Sequence, residues 1–185
     1  MNATEAVAAL LRAVPDGLFV SSLGTATSAL RKASEDGPHL YMGGSMGCAL
    51  AVAMGVAEKR PAALVVAVLG DGETLMGASS LWSLAGIRPA NLLVAVLVNG
   101  HYSITGRQRL GGPPVFAEVA SALGLAAAVS SSAQQTEERA RSIPRPALLE
   151  IRYAEHEWPG PSAFVDPPVV RWRFEAAAEA ATKRG

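Results

Sequence analysis

The chain has 185 residues, half of them apolar, and its 16 basic residues balance 16 acidic ones. That length accommodates one α/β domain with a full core, and a balanced, interspersed charge gives no electrostatic basis for nucleic acid or an anionic membrane as partner. The single cysteine, Cys48, excludes a disulfide framework, a cysteine-based zinc site and a four-cysteine iron–sulfur cluster, and it fits a reducing cytoplasm.

The N-terminus reads as an amphipathic helix over about 2–13 rather than a secretory leader, because Glu5 sits near its start and no basic residue precedes the apolar stretch. A strand at 18–21, a helix near 26–34 and a strand at 39–42 follow. A helix of small residues is expected at 46–59, then a strand at 63–69, a helix at 74–86 and a strand at 92–98. The segment 99–114 reads as a loop rich in glycine and proline. Beyond it come a helix at 115–122, a short strand at 125–129, a helix at 134–142 and a strand at 147–152. Pro159, Pro161, Pro167 and Pro168 predict an extended tail, with a terminal helix from about 171 to 182. The apolar runs are strand-length, far below the ~20 residues of a membrane-spanning helix, so a soluble protein is expected.

Apolar strands alternating with helices predict a doubly wound, mainly parallel α/β sheet with helices on both faces. The whole chain, 1–185, is expected to form a single domain, with 153–185 as its extended tail and helix. In such sheets ligands bind beyond the carboxyl ends of the strands, near a topological switch point. Four segments fall at strand ends: Leu23-Gly24-Thr25, Gly43 to Gly47, Gly70-Asp71-Gly72, and Asn99 to Gly106. They are expected to converge on one site.

Gly70-Asp71-Gly72 closes a strongly apolar strand, and 26 residues (73 to 98) separate it from Asn99 at the end of the next. A carboxylate and an amide oxygen on neighbouring strand ends are hard ligands suited to Mg²⁺, which commonly shares its shell with phosphate oxygens. The glycines beside Asp71 permit close backbone approach. A helix starting near Glu73 or Thr74 would turn its free N–H groups toward the same place, which favours a diphosphate.

A GDG followed by roughly two dozen residues and a strand-end Asn resembles the thiamine diphosphate (ThDP) motif of the PP domain in ThDP-dependent decarboxylases. Gly44-Ser45-Met46-Gly47 resembles that family's segment beneath the bent cofactor. By resemblance, the Gly44 carbonyl meets the aminopyrimidine and Met46 props the V-shaped cofactor. The same resemblance makes Asp71 and Asn99 side-chain ligands of Mg²⁺ and His101 a ligand through its main-chain carbonyl. It sets Thr25, Ser45, Gly70, Gly72, Glu73, Thr74, Tyr102, Ser103 and Ile104 around the cofactor. The compact length, Tyr41 to Gly47, Gly106-x-Gln108 and the Pro167 to Val170 entry to the last helix are most similar to the β-subunit group of sulfopyruvate decarboxylases, with phosphonopyruvate decarboxylases close by. In that group the glutamate that hydrogen-bonds the pyrimidine lies on a Pyr domain, so the resemblance implies a Pyr-type (α-type) partner subunit. It also implies a small anionic 2-oxoacid substrate and a homodimeric contact within a heterotetramer or larger. No catalytic side chain is assigned to this chain except His101, whose imidazole is a candidate. An apolar surface around Met42, Met46 and Met54 is expected to stay uncovered in the isolated chain.

Two positions depart from the pattern: Val98 stands where an asparagine usually precedes Asn99, and Glu73 places a third-position carboxylate beside a diphosphate. Other readings compete. Gly43 to Gly47 also satisfies G-x-S-x-G, with Asp71 and then His101 or His156 in hydrolase-triad order. Met42 at the first glycine position breaks the dinucleotide fingerprint. A non-catalytic ThDP-fold assembly module is a further alternative, and Arg107 is either an anion contact or solvated. His39, His156, Trp82 and Trp172 are expected to be packing or surface residues, the tryptophans packed.

Overall fold

The computed structural model describes residues 1–35, 37–154 and 166–182. Helix α1 (Ala3–Ala13) starts at a capping box: the Asn2 side chain accepts from the Glu5 amide at 2.8 Å, and the Glu5 carboxylate accepts from the Asn2 amide at 3.0 Å. Strand β1 (Leu18–Ser21) leads through α2 (Gly24–Ser34) to a two-residue edge strand β2 (Leu40–Tyr41), then α3 (Ala49–Lys59). The centre is built from β3 (Val65–Gly70), α4 (Asp71–Met76), α5 (Ser79–Ile87) and β4 (Leu92–Val98). A small hairpin, β5 (His101–Tyr102) and β6 (Gln108–Arg109), follows, then α6 (Phe116–Ala122), β7 (Ala126–Ser130), α7 (Ala133–Ser142), β8 (Ala147–Arg152) and α8 (Pro167–Thr182).

Six strands form one sheet in the order β2-β1-β3-β4-β8-β7, and every neighbouring pair is parallel. The expected doubly wound class is therefore present, with a fully parallel main sheet. Alternation along the central strands divides the core. Val65, Ala67 and Leu69 of β3 pack with Leu50, Ala53, Leu84 and Phe174 on one face, while Val66 and Val68 pack with Val7, Leu10 and Leu30 on the other. Helices α2 and α3 thus lie on opposite faces, and the chain reverses direction across the sheet between β1 and β3. That reversal opens a crevice at the carboxyl ends of these strands.

Local details depart from the sequence expectations for identifiable reasons. The helix expected over 74–86 is two helices, interrupted where Gly77 packs backbone-to-backbone against Gly47. The small-residue helix begins at Ala49 rather than 46, because Gly43, Ser45 and Gly47 all have positive φ (70°, 55° and 89°). The loop 99–114 contains the β5–β6 hairpin. The last helix starts at Pro167, not 171: Pro167 and Pro168 occupy its first turn, where a missing N–H costs nothing. Pro159 and Pro161 lie outside the described residues, as does His156.

Met54 is buried in the core and Met42 packs against it, so the expected methionine surface does not exist. Among the described residues the large exposed apolar side chains are Leu64, Leu75, Met76, Trp82, Ile87 and Ile104, with Val169 and Trp172 on α8. Both tryptophans expected to pack are mostly exposed, Trp82 by 59% and Trp172 by 69%. Helical spacing alone does not say which face of α5 or α8 meets the sheet. Glu150, wholly buried in β8, accepts from the Ala117 amide at 3.0 Å and from Arg152 at 2.7 Å, and so supplies the start of α6 with the cap its own sequence lacks. No described helix is long and apolar enough to cross a membrane.

His39 is buried against the Phe19 ring, with centroids 5.0 Å apart, and burial lowers its pKa to about 4. It is therefore neutral in the fold but protonates near 6.5 when unfolded. Its contribution to stability is complete above pH 6.5 and is lost as pH falls toward 4, an effect on the order of 3 kcal/mol. His39→Phe should flatten that part of the stability profile in chemical denaturation at stepped pH.

Candidate cofactor site

Four strand ends meet at the switch point around a partly open cleft. Its lining includes Thr25, Met46, Gly70, Asp71, Gly72, Glu73, Asn99, His101, Tyr102, Ser103 and Ile104, with Tyr153 from the end of β8. Gly44 and Ser45 stand outside it. Thr74 is turned back into its own helix, its hydroxyl donating to the Gly70 carbonyl at 2.8 Å.

Asp71 organises the cleft. It is 3% exposed; one carboxylate oxygen, Oδ1, accepts from the Gly72 amide at 2.7 Å, and Oδ2 accepts from the amides of Asn99 at 2.9 Å and Gly100 at 2.6 Å. The β3–β4 register makes this possible, since Gly70 pairs with Leu97 and both chains leave the sheet side by side. Burial raises the Asp71 pKa above its ordinary value, and these backbone donors oppose the rise. Asn99 is held as firmly. Its Oδ1 accepts from the His101 amide at 2.9 Å, and its Nδ2 donates to the Ser103 hydroxyl at 3.1 Å and the Tyr153 hydroxyl at 2.8 Å. Each Oδ1, of Asp71 and of Asn99, retains a lone pair not used in these bonds.

Glu73 resolves the sequence-level puzzle of a second carboxylate. It points to the other side of β3, where its Oε2 accepts from the Ser22 hydroxyl at the end of β1. It is 5% exposed and its Oε1 has no hydrogen-bond partner. Burial raises its pKa, against the Ser22 hydroxyl and the nearby Ala49 and Gly47 amides. Among the described residues, the cleft lining thus contains two buried carboxylates and no lysine or arginine.

His101 folds back so that Nδ1 lies 2.8 Å from the Asn99 carbonyl. A carbonyl only accepts, so Nδ1 carries the proton. With His101 committed to that carbonyl and the Asp71 oxygens to backbone amides, no Ser45-His101-Asp71 relay is assembled among the described residues. The glycines have steric reasons. A Cβ on Gly72 would lie 2.5 Å from the Tyr102 ring, and one on Gly77 would lie 2.2 Å from the Gly47 carbonyl oxygen. Tyr153 and Gly77 are absent from the sequence reading. Tyr153 could have been found by register, because Val98 pairs with Arg152 and the next residues, Asn99 and Tyr153, leave the sheet together.

Such a fold and cleft define the class: a doubly wound α/β domain built around a strand-end cofactor site. The chain belongs to the family described as thiamine pyrophosphate enzyme, C-terminal TPP binding domain, whose model matches residues 22–151. It is 41% identical over 101 residues to a phosphonopyruvate decarboxylase of Streptomyces viridochromogenes, covering 54% of this chain and 25% of that protein. It is 34% identical over 104 residues to the sulfopyruvate decarboxylase subunit beta of Methanothermobacter thermautotrophicus, with 56% of each covered. With the corresponding Methanocaldococcus jannaschii subunit it shares 25% identity over 165 residues, 86% of this chain and 87% of that one. The match therefore spans only a quarter of the Streptomyces enzyme. Among solved structures, a putative thiamin diphosphate-dependent enzyme from Mycobacterium smegmatis superposes with a TM-score of 0.66 at 23% identity, over 82% of this chain and 32% of that one, which shows a shared fold.

Gly77→Ala forces the Gly47 loop away from the α4–α5 junction and should cost roughly 1–3 kcal/mol. A fall in melting temperature is expected by calorimetry. Gly86→Ala, in the same region but with nothing within 4 Å of the added methyl, should leave stability equal or slightly higher.

Proposed function

We propose that this chain is the diphosphate- and Mg²⁺-binding subunit of a ThDP-dependent 2-oxoacid decarboxylase, converting 3-sulfopyruvate to sulfoacetaldehyde and CO₂ together with a Pyr-type partner subunit. The observation that carries it is the Asp71–Asn99 pair at adjacent strand ends, with the Asp71 carboxylate buried in a cleft whose lining, among the described residues, has no cationic side chain. Ionised carboxylates buried without counter-charge are costly, and a divalent cation offsets that cost.

The described residues hold no cluster of three or more His, Cys, Asp or Glu able to bind a metal. A metal here would depend on amide, carbonyl and phosphate oxygens, which is the shell Mg²⁺ favours. The spare lone pairs on the two Oδ1 atoms fit that role. In this reading Asp71 and Asn99 bind through their side chains and His101 through its carbonyl. Thr25, Gly70, Gly72, Ser103 and Ile104 flank the diphosphate, with Tyr102 packed over Gly72. Met46, at the cleft wall, props the bent cofactor, and Gly44 of the same loop offers a carbonyl to the pyrimidine. Glu73 acts away from the metal, by joining the GDG segment to the end of β1. When bound, ThDP supplies the electron sink that 2-oxoacid decarboxylation requires. The His101 imidazole, with its proton fixed on Nδ1, is the one side chain here proposed to exchange a proton with the reacting carbon unit.

The relation to the M. jannaschii subunit along nearly all of its length supports the sulfopyruvate reading. Phosphonopyruvate is the alternative substrate, favoured by the 41% identity to the Streptomyces enzyme. Either substrate carries a second anion, and the cationic side chains nearest along the chain to the cleft-lining residues are Arg152, paired with Glu150, and then Arg107 and Arg109 on the hairpin.

Purified alone, the chain should show no turnover. Mixed with a Pyr-type chain that carries the pyrimidine-binding glutamate, it should gain ThDP binding and CO₂ release from sulfopyruvate together; activity of the single chain would overturn the shared-site proposal. In the complex, Asp71→Ala should abolish Mg²⁺-dependent ThDP binding and also lower the melting temperature, because the Gly72, Asn99 and Gly100 amides lose their acceptor; unchanged Mg²⁺-dependent ThDP binding would remove Asp71 as a ligand. Asn99→Ala, which removes a neutral ligand, should weaken it about 10–100-fold by calorimetric titration. Met46→Ala should lower kcat more than ThDP affinity, since the diphosphate anchor is untouched; equal kcat at saturating ThDP would remove its role as a prop.

A further inference from the structure

We infer that Tyr153 is a positioning residue that holds the rotation of the Asn99 amide, so that Asn99 Oδ1 stays aimed at the divalent cation. The inference rests on the proposed role of Asn99 as a metal ligand and names what makes that ligand competent.

A carboxylate binds a cation through either oxygen, whereas an amide that flips by 180° offers N–H donors to a positive charge. An Asn ligand is therefore useful only if something discriminates its two ends. In this cleft the His101 N–H sets which end is the oxygen, and the Ser103 and Tyr153 hydroxyls hold the amide plane from the other side. The amide nitrogen has two hydrogens and both are engaged, by the Ser103 hydroxyl at 3.1 Å and the Tyr153 hydroxyl at 2.8 Å. The oxygen accepts one bond, from the His101 amide at 2.9 Å, and keeps one lone pair. After a flip, the nitrogen would face the His101 N–H, donor against donor.

Of the two groups on the nitrogen side, Tyr153 is the better anchored. Ser103 sits in the same loop as Asn99 and moves with it. Tyr153 extends β8, its amide donating to the Val98 carbonyl at 3.2 Å, and it is only 8% exposed. Its hydroxyl also bonds the Thr25 side chain from the end of β1. One phenol oxygen thus references the Asn99 amide to two other strand ends. Such outer partners of metal ligands typically change metal affinity 10–100-fold when removed.

The test uses the complex of this chain with its Pyr-type partner, with ThDP binding followed calorimetrically as Mg²⁺ is titrated. Tyr153→Phe keeps the buried ring and deletes only the hydroxyl. It should raise the Mg²⁺ concentration for half-saturation about tenfold, while ThDP affinity at excess Mg²⁺ and the melting temperature stay close to the parent. The preference for Mg²⁺ over Ca²⁺ should narrow, because Mg²⁺ demands near-ideal octahedral geometry and Ca²⁺ does not. In an Asn99→Ala background, where no amide remains to orient, adding Tyr153→Phe should change nothing further. An unchanged Mg²⁺ requirement in Tyr153→Phe, equal losses for Mg²⁺ and Ca²⁺, or the same loss in the Asn99→Ala background would each overturn the inference. If Asn99→Ala itself binds Mg²⁺ and ThDP like the parent, the metal-ligand proposal fails first and this one falls with it.

Discussion

A carboxylate at the end of the central strand, removed from water and enclosed by backbone amides, is the constraint around which this molecule is organised. Asp71 bonds the amides of Gly72, Asn99 and Gly100, and so dictates how the chain leaves both β3 and β4. Those bonds lessen the cost of burying charge but do not remove it, as the raised Asp71 pKa records. The parallel sheet is what makes the arrangement affordable: residues 65–70 and 92–97 run in strict register, and almost every side chain between them is apolar and fully buried. A rigid platform of this kind lets two loops be placed within hydrogen-bond distance with little loss of conformational entropy on ligand binding.

Much of this was legible in the sequence because it depends on local pattern. Apolar runs bounded by glycine or asparagine gave β3 and β4 to within two residues, and strand-end position with GDG-to-Asn spacing gave the two residues that anchor the cleft. What was not legible depends on tertiary direction. Glu73 looked like a misplaced charge beside Asp71, and only the position of Ser22 across β3 shows that the two carboxylates diverge. Met54 in α3 and Trp82 in α5 both lie at helical spacing, yet one is buried and the other exposed, because the face each helix turns to the sheet is set by its docking and not by its own spacing. Tyr153 carries no motif. It is identified by strand order alone, since β8 inserts between β4 and β7 and so brings a residue 54 positions away beside Asn99.

The polar groups of the cleft form a connected set rather than isolated contacts. Thr25, Tyr153, Asn99, Ser103, His101 and Asp71 are linked by hydrogen bonds through four strand ends. A set of this kind is stable only when all its members are satisfied. The unpartnered Oε1 of Glu73 is the exception among the buried carboxylate oxygens of the cleft, and it lies on the β1 side, apart from the Asp71 group.

The contact between Gly47 and Gly77 joins what would otherwise be two independent features. Gly47 ends the loop that carries Met46, Gly77 is the joint between α4 and α5, and their backbones touch with no side chain between them. A close contact without an intervening side chain transmits displacement directly, since no rotamer can absorb it. The position of the loop that carries Met46 is therefore tied to the α4–α5 joint, at the root of the helix whose exposed face bears Trp82 and Ile87.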